Sequence, residues 1–263
     1  MKKNLILVVI FAMSLLNVNA QLGKGLKNVG KAVANTAGNI AGELAADAVG
    51  NKVADNIVVF MDNSNNVSAD DSEYIARLAS LVSPNYLTAE GLALNYKVYE
   101  NPEVNILACA NGCIRIYSGM MDILTDDELV AVIATQIGHI ANKDCRDALM
   151  KVASGDNASN AAGAQLEKML SLSGEGLGTI VNELIQLPYS DKQNKAADKF
   201  AVTLLKKNGA STDGLVSATD KFAEMEANDA QAANDDSIEL SPAYKYIRVN
   251  SNNASRASIV RSI

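Results

Sequence analysis

Histidine occurs once in the 263-residue chain, at His139, and that scarcity excludes more than any other feature. A site that needs two imidazoles, as zinc ligands or as a ligand plus a proton shuttle, cannot be built within one copy. Basic residues are also short, 23 against 30 acidic ones, for a net charge of −7. Phosphate attraction needs clustered Lys and Arg, so this balance argues against a general nucleic-acid binder. Trp is absent and aromatic residues make up only 5% of the chain. The hydrophobic share of 48% is still ample for a packed core, which rules out wholesale disorder. The apolar run from Leu5 to Leu16 is too short for an ordinary membrane-spanning helix.

That run reads instead as part of an export signal over residues 1–20. Lys2 and Lys3 precede it, and Val18-Asn19-Ala20 places small residues at a cleavage position before Gln21. A periplasmic or secreted mature chain is expected, with no transmembrane segment once the signal is removed. Losing Lys2 and Lys3 makes that chain more acidic still. Three cysteines are an odd number for an oxidising compartment. Cys109 and Cys113 flank a hairpin tip and can face each other across two strands, leaving Cys145 over. Equally, all three can be small buried residues.

Residues 21–66 form a Gly/Ala-rich helical arm or linker, with Leu22, Leu26, Val29, Val33, Ala37, Ile40 and Leu44 on one stripe. Residues 67–263 form the main domain. Ser68-Ala69-Asp70-Asp71 has the form of a capping box, and Tyr74, Leu78, Leu81 and Val82 give the buried face of the helix behind it. Period-two alternation marks a strand from Leu92 to Tyr99. Val104–Ala108 and Cys113–Tyr117 follow as a hairpin around Asn111-Gly112. Thr125-Asp126-Asp127-Glu128 is a better capping box, predicting a helix to about Val152. Further helices are expected near 161–172, 177–186, 192–207 and 213–226, then an acidic, lid-like loop over 227–241. The class is α+β, mostly helical with a small β-sheet.

The stretch from Val104 to Cys145 resembles the core of the HtpX-type zinc metallopeptidases, which include the CAAX-prenyl proteases. Asn105, Ala108 and Gly112 fit that family's hairpin, Ser118 to Asp122 fits its Ser/Thr-Gly-Leu-Leu-Asp segment, and Asp127-Glu128-Leu129 fits its helix start. Thr135-Gln136-Ile137-Gly138-His139 stands where the family has His-Glu-Ile-Gly-His. Tyr189 to Asp198 resembles the helix that supplies the third metal ligand, and Asn250 to Arg256 resembles a later His-Pro-…-Arg segment.

The resemblance implies a zincin-like fold, a peptide or protein partner and a zinc site, and it shows what this copy has lost. Two imidazoles at i and i+4 reach one zinc from a single helix face, and a Glu between them takes a proton from bound water. Here His139 is retained. Thr135 and Asn194 occupy degenerate ligand positions, Gln136 the general-base position and Asn250 the position of the later histidine. Asp198 survives as the residue that orients a ligand from behind. A zinc site normally has three protein ligands, so no cofactor is expected and a catalytically inactive homologue is the leading reading. Its residual cleft would bind an extended peptide along an edge strand at Arg115, Ile116 and Tyr117.

One alternative is an active zinc endopeptidase in envelope protein quality control, using Asp144, Asp198 or a lid carboxylate as substitute ligands. Another is a structural envelope protein that assembles as a homo-oligomer through its arm.

Overall fold

The computed structural model describes residues 47–154, 170–232, 239–250 and 253–263. The expected signal segment, most of the arm and nearly all of the helix expected over 161–172 lie outside them. The chain divides into two units, 1–49 and 50–263. Of the first unit only 47–49 are described, and they are helical. Everything below concerns the second.

Helix α1 (47–64) carries Val53, Ala54, Ile57, Val58 and Met61 at spacings of one, three or four, and all five are buried. That stripe drives it inward. Helix α2 (Glu73–Leu81) follows. Its N-cap is Ser72, whose Oγ accepts from Ile75 N, rather than a residue of the box begun at Ser68. Ser68 Oγ donates instead to Glu100, 3.0 Å away, tying the helix entry to the end of a strand.

The alternating stretch from Leu92 is two strands. Leu92–Ala93 (β2) pairs with Thr88–Ala89 (β1), and Asn95–Tyr99 (β3) enters a separate three-stranded sheet. Strands Ile106–Ala108 (β4) and Cys113–Tyr117 (β5) form the expected antiparallel hairpin. Gly112 takes φ 86° at its tip, where a Cβ would stand 2.5 Å from Ala93 O. Beyond the hairpin the sheet departs from expectation. The strand order is β3-β5-β4, with β3 parallel to β5. Arg115, Ile116 and Tyr117 therefore lie on the middle strand, hydrogen-bonded on both sides, and cannot be the edge that accepts a peptide. The hairpin signal fixes β4 beside β5 but carries no information about what docks on β5's other side.

Arg115 has a structural task instead. It is 1% exposed, and its Nε and Nη2 donate to the two oxygens of Asp62 on α1 at 2.8 and 3.1 Å. Lys97 Nζ and Tyr99 OH donate to the same carboxylate at 2.9 and 2.7 Å. Burial pushes the Asp62 carboxyl up, but hydrogen bonds from Arg115, Lys97 and Tyr99 outweigh it and hold the group at about 2. A depressed folded-state value means stability present above the unfolded value, near 4, and lost as pH falls through about 2. Asp62→Asn should therefore cost about 2 kcal/mol near neutral pH, with the gap to wild type closing by pH 2. Urea titrations at a series of pH values check this, and a pH-independent gap would refute it.

After α3 (Ser118–Ile123), the capping box of α4 (Asp126–Ala141) forms as read: Glu128 Oε2 accepts from Thr125 N at 2.8 Å. The helix does not run to Val152. Asn142 caps it, Lys143 takes φ 65°, and a new helix, α5 (Asp144–Ser154), begins at an angle. The sequence offered no glycine to announce that left-handed step. Helices α6 (Glu175–Ile185), α7 (Asp191–Lys207), α8 (Asp213–Ala232), α9 (Tyr244–Val249) and α10 (Asn253–Arg261) complete the domain.

Helix α8 continues past the expected boundary, so the first part of the acidic lid is helix. Its Asp229 is buried and accepts from Ser241 N and Oγ at 2.6 and 2.7 Å. Helices α4 and α7 lie backbone to backbone at Gly138, where a Cβ would meet Ala197 O at 2.6 Å and Ala197 Cα at 2.9 Å. Glycine at 138 is what allows that approach.

Candidate functional site

Helix α4 runs through the core, so the side chains it turns toward α7 and the hairpin are almost sealed. Thr135 and His139 are each 2% exposed and Gln136 is 8% exposed. One turn separates positions 135 and 139, which puts them on the same face. The break at Lys143 then folds α5 back so that Asp144 Oδ2 lies 2.9 Å from His139 Nδ1. Tyr189, just ahead of α7, stacks on the imidazole with centroids 3.9 Å apart and planes at 16°.

Burial holds His139 below the usual imidazole value, against the pull of Asp144. A neutral ring that donates Nδ1–H to the carboxylate presents a free Nε2 lone pair. His139 is thus both a satisfied core residue and one wall of a cleft.

The cleft brings together Gln136, His139, Tyr189, Asn194, Tyr246, Asn250 and Arg256. Of the sequence-predicted positions, Gln136, His139, Asn194 and Asn250 meet here, whereas Thr135 does not line the cleft and Arg115, Ile116 and Tyr117 lie on the middle strand. Asp198 lies immediately behind, fully buried, with Thr135 Oγ1 3.2 Å from its Oδ1. Sequence reading did not assign Arg256 a task. Its Nε and Nη2 donate to Asp198 Oδ2 and Oδ1 at 2.9 and 2.6 Å, a bidentate pair. Asn194 Nδ2 lies 3.4 Å from Tyr189 O, and Asn250 Nδ2 donates to Tyr246 O at 3.0 Å. Positions 135 and 198 are thus joined directly, by a hydroxyl that donates to the carboxylate.

The remaining walls are apolar: Ile57 and Met61 from α1, Leu149 from α5, and Val181 and Leu184 from α6. Strand β4 forms the rim. Antiparallel alternation points Leu107 at β5 and turns the N–H and C=O groups of Ile106 and Ala108 away from it. Asn105 Oδ1 takes Ile106 N–H at 2.8 Å, leaving the Ala108 edge open. The edge strand sought at 115–117 is therefore 106–108. The three cysteines are free thiols. Cys109 and Cys145 line the cleft, and burial pushes both up to about 12, far from thiolate character.

The donor set does not fit zinc. His139 offers one nitrogen; Thr135 is engaged with Asp198, Asp198 with Arg256, and Asp144 with the far side of the same imidazole. Among the described residues no three His, Cys, Asp or Glu side chains converge on a point that would hold a metal ion.

A long buried helix with functional positions one turn apart, a second helix crossing it at glycine, and an edge strand along the rim define a metallopeptidase scaffold of the zincin type. The model of peptidase family M48 matches residues 73–241. The chain belongs to that family. It is 34% identical over 204 residues to the metalloprotease LoiP of Escherichia coli (strain K12), covering 77% of this chain and 81% of that one. It is also 34% identical over 191 residues to the metalloprotease YcaL of the same organism, covering 71% and 74%.

Proposed function

We propose that this family member has given up zinc-dependent hydrolysis and works as an exported peptide- or protein-binding protein, in the periplasm or secreted. The supporting observation is the wiring behind the cleft. Thr135, Asp198 and Arg256 satisfy one another without an ion, and the general-base position carries an amide that cannot accept a proton at neutral pH. What persists is a cleft with neutral polar groups on its floor, apolar walls and an open strand edge at Ala108. An extended segment would add to β4 through its main chain and place alternate side chains against Ile57, Met61 and Leu184. Among the described residues no helix is long and apolar enough to cross a membrane.

The test pairs two measurements on purified protein. Metal analysis after dialysis against zinc should find no stoichiometric ion, and casein should remain intact with or without chelator. Fluorescent extended peptides rich in Leu and Phe should bind, and Ala108→Pro, which removes the outward N–H, should weaken them about tenfold. Stoichiometric zinc with chelator-sensitive cleavage would establish the opposite reading, an active endopeptidase.

A further inference from the structure

Helix α7 carries its lysines in an unusual arrangement for so acidic a chain. Lys192, Lys195, Lys199 and Lys206 are spaced by three, four and seven residues, and all four are exposed. At 100° per residue they fall within one stripe about 60° wide, and at 1.5 Å per residue it is about 21 Å long. None of the four forms an ion pair with any described carboxylate, whereas Lys97, Lys221 and Lys245 each do. Thr203 fills the one gap in the stripe, and Asp191, at the helix start, lies off it.

Helix stability accounts for Lys206, which lies in the last turn where a cation is favoured, but not for the lysines at the other end. The N-terminal end of a helix carries partial positive charge and disfavours cations, yet Lys192 and Lys195 sit in the first two turns. Asp191 stands four residues before Lys195 but makes no ion pair with it among the described residues, and Lys192, Lys199 and Lys206 have no Glu or Asp four residues before or after them.

The stripe is also continuous with the cleft. Lys195 borders a recess shared with Asn194, Asn250 and Arg256, all of which line the cleft itself. At its other end Lys195, Lys199 and Lys206 flank a shallow groove closed by Ser262 and Ile263. The cleft floor, by contrast, offers no unpaired charge: His139 Nδ1 faces Asp144 and Arg256 is paired with Asp198.

We propose that the partner is a peptide or protein segment with apolar residues in the cleft and an acidic run immediately beside them, laid along the α7 lysines. This rests on the peptide-binding reading of the cleft and adds the partner's charge pattern. The net charge of −7 repels acidic chains in general, so an unpaired cationic track leading out of the cleft selects those whose acidic stretch is in register.

The experiment uses the full exported chain and three labelled decapeptides in fluorescence anisotropy. One is apolar and neutral; the others add four Asp residues before or after the apolar part. One acidic arrangement should bind about tenfold more tightly than the neutral peptide at 50 mM salt, and the gain should vanish at 500 mM. Lys195→Gln/Lys199→Gln/Lys206→Gln, all surface changes, should erase the gain and leave neutral-peptide binding unchanged.

If all three peptides bind equally, the charge track is refuted and the cleft reading stands. If none binds, the cleft reading itself fails. Sedimentation with phosphatidylglycerol vesicles supplies the competing outcome. Lysine-dependent vesicle binding without any acidic-peptide gain would assign the stripe to a membrane surface and overturn the proposal.

Discussion

A chain carrying Thr135→His, Gln136→Glu and Asn194→Glu together should bind zinc at least about a hundredfold more tightly than wild type, since outer groups alone shift metal affinity about 10–100-fold. The geometry is in place for it. Positions 135 and 139 share a face of α4, and His139 already has Nδ1 fixed by Asp144 with Nε2 toward the cleft. Asp198 Oδ1, 3.2 Å from the present hydroxyl, stands ready to accept from a new imidazole. Position 194 reaches the same space from α7. Competition against a chromogenic chelator measures the gain. Unchanged affinity would mean that the three positions do not converge. Hydrolysis is a separate requirement, because a tightly held ion does not by itself supply the proton transfers that peptide cleavage needs.

Breaking the pair behind the cleft should have the largest effect on stability. Asp198 is fully buried and its two oxygens meet two nitrogens of Arg256, whose side chain is 18% exposed. Asp198→Asn keeps the volume but leaves the guanidinium facing an amide. Loss of one partner from a buried pair costs about 3–5 kcal/mol. For a domain of this size that lowers the melting temperature by roughly 10 °C. The second arm is Asp198→Leu/Arg256→Met, which removes both charges and should recover much of the loss, because apolar replacement of a buried pair is often close to neutral. A double variant no better than the single would mean that packing, not the stranded charge, sets the cost.

Much of this molecule was legible in its residues, and the parts that were not share a cause. Local signals held: the Thr125–Glu128 box opens α4 and Asn111-Gly112 turns the hairpin, and Gln136, His139, Asn194, Asn250 and Arg256, from three separate blocks of the sequence, line one cleft. What failed depends on partners distant in sequence. Asp62 finds Arg115 across 53 residues, and that link makes Arg115 an anchor rather than a peptide contact. The parallel pairing of β3 with β5 moves the open edge to β4, although the hairpin alone leaves either strand available. Arg256 stood in a quoted block, but its task appears only once α10 meets α7 at Asp198. Lys143 is a third kind of miss: a left-handed residue that is not glycine carries no compositional mark.

The meeting of Gly138 with Ala197 has a consequence for how such a protein can arise. The contact is made by main chain, so it is indifferent to which side chains occupy 135, 136 and 194. Substitutions at those three positions should therefore leave the spacing of the two helices as it is, while Gly138→Ala, which touches none of them, should force the helices apart.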